Sequence, residues 1–257
     1  MKETLTFFYD ILLEFEAPVN RHAFVLRCVP PSFPGQEVLE ARFTLDPQTP
    51  YAVQRDGFGN FIQVGCIDEP HDHFRYTVQG RVQLDPELRR AEQLHPVFRF
   101  PSHYTHTSPA MEQFLAGLDL PRSPRDRAIA LAEAVNDHMS YTPGVTNTAT
   151  TAIQAFETGA GVCQDFSHVY LALAREAGLA VRYVNGLPVG EGASHAWCEV
   201  WLDGVWTGVD PTRRRWADSG YIRLGVGRDF GDCPVERGVF WGTGSQRQSI
   251  YMKVSQQ

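Results

Sequence analysis

Apolar and polar residues alternate along the first third of the chain, the two-residue period of half-buried strands. Candidate strands cover 4–15, 22–28, 37–45, 60–67 and 73–84. The segments between them, VPPSFPGQ, DPQTP, RDGFGN and DEPHD, are rich in Gly, Pro, Asp and Asn and read as turns. Antiparallel strands at this spacing predict a sandwich or a curled sheet. Beyond FPSHYTHTSPAMEQFLAGL the period lengthens. Ser123-Pro124 opens a helix through PRDRAIALAEAVNDHMSY, and TATTAIQAFETG forms a second that stops at Gly159. A third runs from about Cys163 to Gly178. Strands follow in AVRYVNGLPV, SHAWCEVWL and VWTGVDPT, then within 220–226 and 248–254. Residues 1–100 thus read as an accessory β domain and 108–257 as an α+β domain.

With 43% hydrophobic residues, the 257-residue chain can build a packed core, and disorder is excluded as a general description. A net charge of −7 gives no general attraction to nucleic acid or to an anionic membrane, so neither is expected as a partner. Glu3, Asp10, Glu14 and Glu16 interrupt the apolar stretch that a secretory signal would need. The five cysteines (28, 66, 163, 198 and 233) are odd in number and form no CxxC pair, which argues against a disulfide framework or a zinc ribbon. A reducing cytoplasm is the expected location.

One cysteine stands apart in its setting. A free cysteine is usually one more small buried residue, but Cys163, in GAGVCQDFSH, falls at the start of a predicted helix. Unpaired N–H groups and the positive end of the macrodipole there favour an anion, and the same N–H groups can hold an oxyanion. Gly159 and Gly161 are expected to let a substrate backbone approach. A nucleophile needs a base and a group to orient it, and SHAWCEVWLDGVWTGVDPT supplies both through its register. Asp203-Gly204 signals a two-residue hairpin turn. That turn pairs Leu202 with Val205 and, counting back, Trp197 with Asp210. His195 then shares a face with Asp210, and such diagonal neighbours lie roughly 7 Å apart at their β-carbons. Cys198 has the opposite parity and points to the other face.

GVCQDFSHVYLALAREAGLAVRYVNG, HAWCEVWL and GVDPT resemble, in order, the three core motifs of the transglutaminase-like superfamily. PVNRHAFVLRCVP and DGFGN resemble the N-terminal β domain of its bacterial branch, and YIRLGVGRDFGDCPVERGVFWG that branch's C-terminal segment. The resemblance implies an α+β protein: an N-terminal antiparallel β-sandwich-like domain followed by a papain-like, transglutaminase-like core. It also implies Cys163 as nucleophile, His195 as base and Asp210 as orienter. The reaction expected is hydrolysis of a peptide or amide substrate through a thioester. Transfer of the acyl group to an amine is the alternative, and a catalytically idle peptide-binding scaffold a third. Two positions depart from the branch. Leu187 follows VNG where an aromatic residue is usual, which would change a pocket wall. Arg213 follows DPT where asparagine is common, and Arg214 and Arg215 extend it into a basic run that is either a solvated face or a clamp for substrate carboxylates.

Other candidates carry less. Asp165, two positions beyond Cys163, points away from it and is expected to favour the helix N-terminus or hold a loop. Tyr141 and Thr146 are expected to pack. HDH at 71–73 and HYTH at 103–106 lack a third fixed ligand and read as solvated loops, so no metal is expected, and no cofactor. No acidic cluster has the spacing of a calcium loop. The glycines of NGLPVGEGASH predict a mobile loop at the cleft edge that would admit water.

Overall fold

The computed structural model describes residues 2–88 and 93–256. Five strands come first: β1 (Glu3–Leu26), β2 (Gln36–Asp46), β3 (Tyr51–Arg55), β4 (Phe61–Ile67) and β5 (His71–Leu84). Helices α1 (Pro109–Ala116) and α2 (Pro124–His138), strand β6 (Ser140–Tyr141), helix α3 (Ala152–Thr158), strand β7 (Ala160–Gly161) and helix α4 (Cys163–Glu176) follow. The remainder is β8 (Val181–Pro188), β9 (Gly190–Gly192), β10 (His195–Leu202), β11 (Val205–Asp210), β12 (Arg215–Trp216), β13 (Tyr221–Gly227), β14 (Glu236–Trp241) and β15 (Gln246–Gln256).

The two expected strands 4–15 and 22–28 are one. Leu5, Phe7, Tyr9, Ile11, Leu13 and Phe15 all face inward, and this half of β1 pairs with β5 on one edge and β15 on the other. The register breaks between Glu14 and Val19, around Pro18, which has no N–H to donate. Past the break, β1 pairs with β4 and β14. A single bent strand therefore serves both halves of the sheet, which curls over Phe24, Phe74, Tyr76 and Val78. Strand β3 is exposed throughout and shows no alternation of burial, so the apolar pattern does not reveal it.

The second sheet is antiparallel, in the order β12-β11-β10-β8-β13. Helices α2, α3 and α4 cover one face through Leu131, Val135, Phe156, Phe166 and Tyr170. The Ser123 hydroxyl caps α2, and a Thr151/Gln154 capping box opens α3. Helix α3 stops at Gly159, whose φ of 65° a β-carbon would disfavour.

The division between 1–100 and 108–257 is crossed by backbone hydrogen bonds. β15 lies along β1 from Leu5↔Gln256 to Phe15↔Gln246, and β14 lies along its second half. Leu187, Ile222 and Leu224 of the second sheet pack into the apolar cluster of the first. Among the described residues, no helix is long and apolar enough to cross a membrane.

Candidate active site

The hairpin sets the geometry. Asp203 and Gly204 both take positive φ (51° and 84°), as the tight turn requires, and the ladder runs from Leu202↔Val205 to Cys198↔Val209. His195 and Asp210 consequently meet: His195 Nε2 lies 2.8 Å from Asp210 Oδ2. The carboxylate is completely buried and fully engaged. Its Oδ1 accepts from the backbone N–H groups of Thr212 (3.0 Å) and Arg213 (3.2 Å), and Oδ2 also accepts from the Tyr221 hydroxyl (2.8 Å). Burial works against the charge on Asp210, but His195, Tyr221 and Arg213 outweigh it and hold the carboxyl below its usual range. Burial likewise disfavours a charged His195. The hydrogen bonds to Asp210 and then Cys163 prevail and bring the imidazole up to about 9, so it is an imidazolium at neutral pH.

Cys163 is the first residue of α4 and lies close enough to His195 to act on its charge. With Nε2 on Asp210, Nδ1 is the ring nitrogen left for the thiol. The start of α4 is built by Asp165, whose Oδ2 accepts from the Val162 N–H and the Thr146 hydroxyl, both at 2.7 Å. Burial outweighs these bonds and raises the Asp165 carboxyl. Gly161 is required for this fold-back, because a β-carbon there would run into the Asp165 carboxylate. The two glycines before Cys163 thus serve the backbone: Gly159 ends α3 and Gly161 makes room for Asp165. Thr146, expected only to pack, ties the preceding loop to α4. Tyr141, also expected to pack, is 57% exposed and sits on β6 opposite Gly161.

Sequence reasoning missed three neighbours. Tyr221 arrives from β13, at the far edge of the sheet, and binds Asp210 directly. Trp197 lies nearly parallel to His195, with ring centroids 6.3 Å apart, and meets Tyr221 edge-on at 5.1 Å. Asn136 on α2 donates to the carbonyls of Pro211 and Thr212 and fixes the turn after Asp210. Alternation within β10 was a signal for Trp197. The other two depend on strand and helix neighbours that no local pattern specifies.

The remaining candidates fall elsewhere. Cys198 faces the helical layer, buried, with its thiol 3.6 Å from the Ser167 carbonyl. Leu187 is buried in the apolar cluster between the sheets. His71 is not in a solvated loop: it is buried in β5, with Nδ1 on the Glu69 carbonyl and Nε2 on His22 Nδ1 (3.2 Å). In HYTH, Tyr104 packs against His168 and Thr105 is buried. Among the described residues, no three or more His, Cys, Asp or Glu are grouped to hold a metal. The expected mobile loop before His195 contains β9, paired with β15 from Met252↔Gly192 to Val254↔Gly190.

The chain has relatives along nearly its whole length. Residues 112–211 match the transglutaminase-like superfamily, and residues 8–83 match the bacterial transglutaminase-like N-terminal region. An uncharacterized protein of Mycobacterium leprae is 27% identical over 94% of both chains. An uncharacterized protein of Mycobacterium tuberculosis is 28% identical, covering 85% of this chain and 81% of the relative. Among solved structures, one from Cytophaga hutchinsonii, provisionally named a cysteine protease, superposes with a TM-score of 0.83 at 20% identity, covering 100% of this chain and 91% of the other.

Proposed function

We propose that this chain, which belongs to the transglutaminase-like superfamily and carries the bacterial N-terminal region ahead of its core, is a cysteine-dependent amidase or peptidase that works through a thioester. The observation that carries this reading is His195, held by Asp210 on one ring nitrogen at 2.8 Å and lying beside Cys163 at the start of α4. A cysteine sulfur whose proton is carried by an imidazolium, itself held by an orienting carboxylate, matches the requirements of acyl transfer to sulfur.

Cys163 attacks the amide carbon as a thiolate, its proton already carried by His195; the S–C bond forms as the carbonyl π bond opens, and the oxyanion develops beside the N–H groups at the start of α4. As the C–N bond breaks, His195 gives its proton to the departing amine. Water then attacks the thioester while His195 takes one of its protons. The C–S bond breaks, releasing the acid and returning Cys163 and His195 to their starting state. The name of the Cytophaga relative agrees with this reading.

One observation favours the alternative, resolution of the thioester by an amine. The segment before His195 is a strand pinned to β15, so the cleft edge is a fixed surface on which an acceptor can be oriented. A single experiment separates the two. The protein is exposed to a library of peptide amides, and adducts are followed by intact mass in wild type and Cys163→Ala. Primary amine is then added at rising concentration. An acyl adduct that requires Cys163 and resolves mainly to free acid supports the hydrolase. Dominant amide exchange at low millimolar amine assigns the transferase, and absence of any Cys163 adduct defeats both.

A further inference from the structure

Positive charge exceeds negative charge around Asp210, although the protein is acidic overall. Asp210, with Asp218 near Arg215, faces the His195 imidazolium and the guanidinium groups of Arg213 and Arg215. The three arginines after Asp210-Pro211-Thr212 have separate fates. Arg214 turns away to Asp137 on α2, at 2.9 Å. Arg215 donates through Nε to the Tyr221 hydroxyl at 3.2 Å. Arg213 is held only loosely, with Nε 3.8 Å from Asp210 Oδ2 and Nη1 3.4 Å from the Tyr221 hydroxyl, and 37% of its side chain is exposed. Its backbone, by contrast, is fixed by the Asp210 carboxylate and carbonyl. The side chain, which also lies over the Tyr221 ring at 5.6 Å, is therefore a lightly held fork on a rigid base.

Its charged end shares a carboxylate oxygen with His195. Asp210 Oδ2, beside Arg213, is the oxygen that holds His195, which in turn contacts Cys163. Exposed Tyr141, on the strand paired to Gly161, lies within the electrostatic reach of both Cys163 and Arg213. Arg213 thus shares Asp210 with the imidazole beside Cys163 and shares the neighbourhood of Tyr141 with the thiol. A guanidinium is weakly hydrated and presents paired donors matched to a carboxylate.

We infer that Arg213 forms a carboxylate subsite beside Cys163, so that the preferred acyl donors carry a free carboxylate next to the scissile amide. This rests on Cys163 being the nucleophile. The carboxylate belongs either to an acidic side chain or to the C-terminus of the leaving residue, and both present the same group to the fork.

Two small alkylating agents test the subsite without a known substrate. Iodoacetate carries a carboxylate on the carbon that sulfur attacks, and iodoacetamide is its neutral counterpart. Their rates are measured by peptide mapping at Cys163 and, in the same molecules, at exposed Cys66. The iodoacetate-to-iodoacetamide ratio at Cys163 should exceed that at Cys66 several-fold. It should fall at least threefold in Arg213→Gln and recover in part in Arg213→Lys, while the ratio at Cys66 stays constant. The Arg213 variants isolate the guanidinium from the attraction of the His195 imidazolium, which they retain. Rapid iodoacetamide labelling with an unchanged ratio in Arg213→Gln overturns the subsite and leaves the nucleophile standing. Failure of both reagents to label Cys163 overturns the nucleophile, and the subsite with it. Paired peptides, Glu against Gln beside the scissile bond and free against amidated C-terminus, then identify the source of the carboxylate by which member of each pair acylates Cys163 faster. Equal acylation in both pairs overturns the preference for acidic donors.

Discussion

Tyr221 donates its phenolic proton to Asp210 Oδ2 across 2.8 Å, the same oxygen that receives His195 Nε2 at 2.8 Å. The hydroxyl in turn receives hydrogen bonds from Arg213 and Arg215. A buried carboxylate is stable as an anion only when its oxygens are satisfied, and Tyr221 is the side-chain partner that satisfies Asp210 without competing for its role toward histidine.

Replacing Tyr221 by Phe leaves the ring in place and removes this bond. Turnover of an accepted substrate should drop roughly tenfold, the scale of one hydrogen bond to a charged group. The acid limb of the pH–rate profile should also move upward, because a carboxylate that loses a donor protonates more readily. A rate loss with no change in the profile would show that Tyr221 only fills space.

Asp210→Asn keeps the shape of the side chain but can hold the imidazole in the wrong tautomer. Turnover should fall on the order of 10³- to 10⁴-fold, with the far-ultraviolet circular dichroism of the wild type retained. Near wild-type turnover would refute the orienting role of Asp210.

Stability should depend on pH on both sides of neutrality. His195 titrates at about 9 in the folded protein, against an ordinary value of 6.5. Its contribution is therefore fully present below pH 6.5 and is lost as pH rises through about 9, an effect on the order of 3 kcal/mol. Burial moves His22 down to about 4, helped by His71, and moves His168 down to about 3. These imidazoles are folded as neutral groups. Their contributions are present above pH 6.5 and are lost as pH falls through about 4 and about 3. Urea unfolding across pH 3–10 should trace a dome. His195→Gln should flatten its alkaline side and His22→Phe its acid side, and a wild-type stability constant from pH 6.5 to 9 would contradict the charged His195.

The parts of the site that were legible in the sequence share one property: a local rule fixes them. Asp203-Gly204 dictates a turn, the turn dictates register, and register brings His195 to Asp210. Gly159 ends one helix and Cys163 opens the next. What could not be read depends on which distant strands become neighbours. Tyr221 reaches Asp210 because β13 folds against β8, and alternation inside β13 cannot say so. Gly190 to Gly192 look mobile because glycine is common in loops, yet β15 supplies their partners from sixty residues further on. Even the basic run divides by the accidents of turn geometry, with Arg214 at a positive φ of 54° and its side chain sent to Asp137.

The strand β15 gives the molecule a property its composition hides. One edge is zipped to β1, and the other holds residues 190–192, the last backbone anchored before His195. The segment leading into His195 thus rests on a rail whose far side belongs to the first fifteen residues, while β8 and Asp210 hold His195 itself. A fragment cut where the hydrophobic period changes would keep Cys163, His195, Asp210 and β15 and still lack β1, the strand to which β15 is zipped. The two halves of this protein are therefore a single tool, and neither can be exchanged for a relative's counterpart without refitting the strand between them.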